Sequence, residues 1–90
     1  MPERREIHYS GRVQGVGFRY TARQIAGRYP VSGFVENLPD GRVLLVVEGE
    51  TAGLDEFLTA LESEMHAYIK NRDVKRSAAS GQFARFEVRH

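Results

Sequence analysis

Residues 5–29 read REIHYSGRVQGVGFRYTARQIAGRY, and within them the hydrophobic period changes once. From Arg5 to Val13 the apolar side chains Ile7, Tyr9 and Val13 fall on alternate positions with Gly11 between them, the pattern of a strand with one buried face. Beyond Gly15 and Gly17, the residues Phe18, Ala22, Ile25, Ala26 and Tyr29 recur at helical spacing, and Pro30 stops the helix. A strand therefore feeds a helix through a glycine-rich turn.

Working outward, Val31–Asn37 and Arg42–Glu48 are two β-rich runs joined by Leu38-Pro39-Asp40-Gly41, a turn sequence in which Pro fixes φ and Gly accepts a positive one. They predict a hairpin. Thr51 is placed to cap a second helix, with Asp55 and Glu56 near its positive end and Leu54, Phe57, Leu58, Leu61 and Met65 at helical spacing to about His66. Tyr68–Lys75 has modest strand character, and Phe83–Val88 alternates Phe86 with Val88, so a fourth strand and a short C-terminal one are expected. The order βαββαβ predicts an α+β fold of the ferredoxin-like, split β-α-β type, an antiparallel sheet with both helices on one face.

The chain has 90 residues and is expected to form one domain spanning 1–90. With 41% hydrophobic residues and a mean hydropathy of −0.44, it belongs among soluble globular chains and not among disordered ones. There are no cysteines, which excludes disulfides, thiolate metal sites and a cysteine nucleophile. The N-terminus is charged where a signal peptide is apolar, and the longest apolar run, Val43–Val47, is far shorter than the roughly 20 residues of a membrane helix. The expectation is a cytoplasmic protein without membrane association. Because Val43–Val47 is apolar on both strand faces, its outer side chains are expected to share a small satellite cluster, the alternative being a partner or dimer surface.

A net charge of +1 argues against a protein that coats polyanions. It conceals an uneven distribution. Residues 1–30 carry six Arg against Glu3 and Glu6, residues 31–66 carry Arg42 against eight acids, and residues 67–90 carry six bases against Asp73 and Glu87. The basic first third contains the glycines. In Gly11-Arg12-Val13-Gln14-Gly15-Val16-Gly17-Phe18-Arg19, a glycine-rich turn at a helix N-terminus exposes several backbone N–H groups in one arc and adds the positive end of the helix dipole. This is a phosphate cradle, with the forked guanidinium of Arg19 within reach of it. As a generic pattern it is weak: Tyr20 stands where a dinucleotide fingerprint needs its third Gly, and the same residues suit a glycine turn packed on the sheet with Arg19 on the surface. Asn37, at the end of a strand, either starts the turn or holds a water beside the arc, since the first strand and the strand after the hairpin turn are neighbours in this fold. His8, His66 and His90 have no second ligand at metal spacing, no Ser-His-Asp arrangement exists, and no metal site is expected.

The segment Gly11–Arg19 and the segment Gly33-Phe34-Val35-Glu36-Asn37-Leu38-Pro39-Asp40-Gly41-Arg42-Val43 through Gly49 resemble the two signature segments of the acylphosphatase family, and Thr51–Met65 and the closing Phe83–Arg89 are similar to the family's second helix and final strand. The resemblance implies a cytosolic hydrolase that splits small acyl phosphates into a carboxylate and inorganic phosphate without metal or organic cofactor. It implies that Gln14, Gly15, Val16, Gly17 and Phe18 bind the phosphate together with Arg19, and that Asn37 orients the attacking water. A monomer is expected, with no nucleic-acid partner. The sequence departs from the family pattern at Tyr9, where an aliphatic residue is usual, at Glu36, where a basic or neutral one is, and at Gly17, expected to loosen the loop slightly. Glu36 motivates an alternative, a non-catalytic module of the same fold that binds anions or carbamoyl phosphate. An RNA-binding sheet is disfavoured because Arg42–Glu48 carries no aromatic stacking residue.

Overall fold

The computed structural model describes residues Met1–His90. Its elements are β1 (Pro2–Gly11), α1 (Phe18–Ala26), β2 (Ser32–Asn37), β3 (Val43–Glu50), α2 (Thr51–Glu64), β4 (Ile69–Ala78) and β5 (Phe86–Arg89). The sheet order is β4-β1-β3-β2-β5. β1 runs antiparallel to β3 and β4, and β2 antiparallel to β3, as the split β-α-β reading requires. The fifth strand joins the free edge of β2 in parallel, so the complete sheet is mixed.

Both helices cover one face. α1 lies against β2 and β5, and α2 against β3. Phe18, Ala22, Ile25 and Ala26 turn inward from α1, and Leu54, Phe57, Leu58 and Leu61 from α2, to meet Ile7, Tyr9, Val35, Val43, Leu45 and Val47 in one core. α1 ends at Ala26, short of the expected Tyr29, because the chain tightens there: Arg28 N–H bonds Ile25 O at 2.9 Å and Tyr29 N–H bonds Ala26 O at 3.2 Å. Tyr29 still packs on the core, its ring 6.4 Å from that of Phe57. No helix is long and apolar enough to cross a membrane.

Three local expectations are corrected. β1 begins at Pro2, before the expected Arg5, because its charged residues are neutralised in place. Arg5 is buried on the helix side, where it donates to Glu3 at 2.9 Å and pairs with Asp55 at 2.7 Å. Burial works against the charge of Arg5, but those two carboxylates more than offset it and raise its pKa. Thr51 is not a cap: Glu50 holds the N-cap position without a side-chain bond, and the Thr51 hydroxyl donates instead to Glu3 at 2.9 Å. α2 ends at Glu64, before His66, with Met65 at its C-terminus.

The outer face of β3 is covered by the chain itself. Val46 and Phe34 are 1% and 7% exposed on the side away from the helices. Phe83, in the connection that crosses from β4 to β5, packs edge-on to Phe34 at 5.8 Å, while Arg89 stacks 3.6 Å over Phe34 and Arg4 lies 5.7 Å over Phe83. Glu48 holds this connection down, accepting from Ser80 N–H at 2.9 Å, Ser80 Oγ at 2.7 Å and Gly81 N–H at 3.0 Å.

Candidate active site

Residues 12–17 connect β1 to α1, and two buried side chains fix the ends of this loop. Val13 is 1% and Phe18 2% exposed. Between them Gly15 (φ 77°) and Gly17 (φ 80°) adopt left-handed conformations that only glycine takes without strain. Gly17, expected to loosen the loop, forms the N-cap turn of α1. The N–H groups of Gly15, Val16 and Gly17 donate to no atom of the chain, and the first helical bond is Thr21 N–H to Gly17 O at 3.0 Å. The N–H groups of Phe18, Arg19 and Tyr20 occupy the first turn, where a helix offers them no acceptor. That turn also has no acidic residue and no capping side chain. A row of free donors therefore coincides with the positive end of a helix, and a ligand that satisfies both is an anion.

Gln14 ties this loop to the hairpin turn. Its Nε2 donates to Leu38 O at 2.8 Å and to Arg42 O at 3.0 Å. The turn is closed independently by Leu38 N–H to Arg42 O at 2.8 Å and Gly41 N–H to Leu38 O at 3.1 Å. Asp40 completes it: the backbone N–H and side chain of Arg42 both donate to its carboxylate, which lowers its pKa. Gln14, expected to bind phosphate, thus has its side-chain amide N–H groups already engaged within the chain.

Asn37 is the last residue of β2, opposite Val43. Its Oδ1 is buried and has no hydrogen-bond donor. Such an acceptor costs about 1–3 kcal/mol unless a water or ligand supplies the donor. Strand alternation puts Asn37 on the side of Val35, which belongs to the helix-covered core, and Glu36 on the opposite side, level with Arg89 on β5. The carboxylate that departs from the family pattern thus lies across the sheet from the amide.

Arg19, on the first turn of α1, is partly exposed. Its Nη1 donates to Arg89 O at 3.0 Å and lies 3.4 Å from His90 Nδ1. Neither Arg12, Arg19 nor Arg23 forms a salt bridge, so the positive charge around the loop is not cancelled by carboxylates. No group of three or more His, Asp or Glu converges anywhere in the chain.

The fold thus places a glycine loop with free N–H groups, an arginine and a buried amide oxygen around the ends of β1 and β2, in a small α+β domain. The acylphosphatase family model matches residues 5–88. The acylphosphatase of Rubrobacter xylanophilus is 47% identical over 88 residues, covering 97% of this chain and 80% of that one. The acylphosphatase of Archaeoglobus fulgidus is 44% identical over 84 residues, covering 92% and 93%. The crystal structure of acylphosphatase from Bacillus subtilis matches the full length of both chains with a TM-score of 0.86 at 32% identity. The chain belongs to the acylphosphatase family, and it is a hydrolase of the carboxyl–phosphate bond.

One residue that reading the sequence did not connect to the site belongs to its surroundings. His90 was assigned no role, although its parity with Phe86 and Val88 places it on the helix side once β5 is known to pair with β2. Gln14 is expected in the phosphate loop, but its clamp on the hairpin turn gives no sequence signal, since its acceptors are carbonyls 24 and 28 residues away.

Proposed function

We propose that the phosphoryl group of a small acyl phosphate binds to the N–H groups of the Gln14–Phe18 loop and to Arg19, and that Asn37 holds the attacking water. The observation that carries this reading is the buried Asn37 Oδ1, which lacks a donor at the end of the strand stapled to the loop by Gln14. A water there can donate one O–H to Oδ1 and direct a lone pair at phosphorus. The water oxygen forms the new bond to phosphorus as the bond from phosphorus to the acyl oxygen breaks. The carboxylate leaves with that electron pair, and the water proton passes to a phosphoryl oxygen, giving inorganic phosphate. A carboxylate leaving group with a parent pKa of about 4–5 needs no general acid. The chemistry therefore rests on positioning and on neutralising charge at the phosphoryl oxygens. Arg19 supplies that charge through Nε and Nη2, neither of which has a partner in the protein.

This reading extends to a monomer acting in the cytoplasm with no nucleic-acid partner. In support of the monomer, Val46 and Glu48 on the outward face of β3 are buried within the chain itself. Sedimentation of the purified protein at two concentrations and fractionation of expressing cells check the two statements.

The site is tested on purified protein with benzoyl phosphate in the presence of EDTA. Asn37→Ala is expected to lower kcat by about 100-fold while inorganic phosphate still inhibits, because the cradle is untouched. Arg19→Ala is expected to weaken phosphate inhibition and to remove nearly all turnover. Full activity in Arg19→Ala would overturn the assignment.

A further inference from the structure

β5 runs parallel to β2 with Glu36 opposite Arg89, and His90 is the residue that follows this last paired position. Phe86 and Val88 pack against the core on the helix side, and His90 is the next residue of the same parity. Its ring is accordingly directed at the first turn of α1, where it meets two side chains. Nδ1 lies 3.4 Å from Arg19 Nη1, and the ring centroid is 6.4 Å from that of Tyr20, which Arg23 flanks at 5.9 Å.

The consequence is for the geometry of Arg19. A guanidinium has five donors in a planar fork, and the edge that matches two phosphoryl oxygens is formed by two of its nitrogens together. Here Nη1 is occupied by Arg89 O at 3.0 Å and by His90 Nδ1, while Nε and Nη2 on the opposite edge are free. An arginine held at one corner has lost most of its rotamer freedom before the ligand arrives, and its free edge is presented in a fixed plane. The imidazole can accept from Nη1 only when its own proton is on Nε2, so this contact also sets the tautomer.

We propose that His90 is a positioning residue, which pins Nη1 of Arg19 jointly with the Arg89 carbonyl and so presents the Nε–Nη2 edge to the phosphoryl group. The proposal rests on the reading of Arg19 as the phosphate ligand. It predicts that His90 acts on binding of the phosphoryl group equally in substrate and product, and not on the attack of water.

The experiment compares His90→Ala, His90→Asn and Arg19→Ala in the full chain, with benzoyl phosphate as substrate and inorganic phosphate as inhibitor. In His90→Ala, KM and the phosphate inhibition constant are expected to rise together by about 3-fold, the scale of one weak neutral hydrogen bond, with kcat within 2-fold of the parent. His90→Asn, whose Oδ1 can accept from the same Nη1, recovers most of the loss. A role in folding alone would lower the melting temperature and leave this pattern absent. If both constants are unchanged in His90→Ala while Arg19→Ala is disabled, the proposal fails and the site reading stands. An Arg19→Ala protein with unaltered KM and phosphate inhibition overturns both.

Discussion

The side chain of Gln14 joins the glycine loop to the turn that follows Asn37, and Gln14→Met tests whether that joint matters. Methionine keeps the length and approximate volume of the side chain and removes the Nε2 donor. Two bonds are lost, to Leu38 O at 2.8 Å and Arg42 O at 3.0 Å. Neither carbonyl is orphaned, because Gly41 N–H still reaches Leu38 O at 3.1 Å and Leu38 N–H reaches Arg42 O at 2.8 Å. The loss is then that of two neutral hydrogen bonds without a desolvation penalty, about 1–2 kcal/mol in all. For a domain of this size it corresponds to a melting temperature lower by about 5–10 °C, read by thermal circular dichroism. The kinetic effect should be larger than the thermodynamic one. Asn37 immediately precedes Leu38, so a turn released from the loop lets the amide move relative to the phosphoryl group, and a displacement near 1 Å costs up to about 100-fold in rate. We expect kcat for benzoyl phosphate to fall at least tenfold, with KM changed much less, since the loop N–H groups and Arg19 are still in place. A variant with lowered melting temperature and parental kcat would refute the positional argument, and one that matches the parent in both would refute the joint itself.

Two further predictions concern stability. Tyr9→Phe removes a hydroxyl that donates to Glu62 Oε2 at 2.7 Å and whose pKa is raised, chiefly by burial and then by the Glu62 charge. Glu62 keeps its bonds to Arg72, so the loss should be about 1–2 kcal/mol in a urea melt, with turnover unaffected; an unchanged midpoint would contradict it. Acid should also destabilise the fold, because Glu3 is held at about 2, first by Arg5 and then by Arg76, and Glu48 is lowered too, burial being outweighed by Ser80, Gly81 and Arg4. Folded values below the ordinary 4.5 mean stability that is complete above that pH and lost as the pH falls toward 2. Glu48→Gln should be less stable at pH 7 and should show a smaller drop between pH 7 and pH 3 than the parent, measured by melts at both.

The strands and helices were legible wherever one face alone is buried. Ile7 and Tyr9 alternate, and Phe18, Ala22, Ile25 and Ala26 keep helical spacing, because each element presents one apolar side to a common core. The start of β1 was hidden because Arg4, Arg5 and Glu6 break the alternation, and only tertiary pairing with Glu48, Glu3 and Asp55 makes their burial tolerable. Thr51 misled for a related reason. A hydroxyl before a helix reads as a cap, but β3 runs into α2 without a linker, and Glu3 lies close enough to accept its proton. At the site, glycines and arginine could be read from their order, since the arc is local in sequence. The orphaned Asn37 oxygen, the Gln14 clamp and the approach of His90 all depend on strands that are distant in the chain, and β5 offers no periodic signal that names its neighbour.

The charge distribution gains its meaning from those same long-range pairings. Three of the eight acids of the middle segment are paired with arginines from the two ends: Glu48 with Arg4, Asp55 with Arg5 and Glu62 with Arg72. Glu3, an acid of the first third, is bound by Arg5 and Arg76. The arginines left without a carboxylate include Arg12 and Arg19, at the two ends of the glycine loop, and Arg23, in the last turn of α1. A chain of net charge +1 thereby keeps two uncompensated arginines at the free N–H groups. Gly15 and Gly17 are exposed, so on the proposed reading the loop's hold on a phosphoryl group comes from donors fixed in advance and not from excluding water. Glycine conformation fixes the N–H arc, the Arg89 carbonyl and His90 fix the guanidinium, and Gln14 fixes the amide, three constraints from three separate parts of the chain that meet because β1, β3, β2 and β5 are neighbours in one sheet.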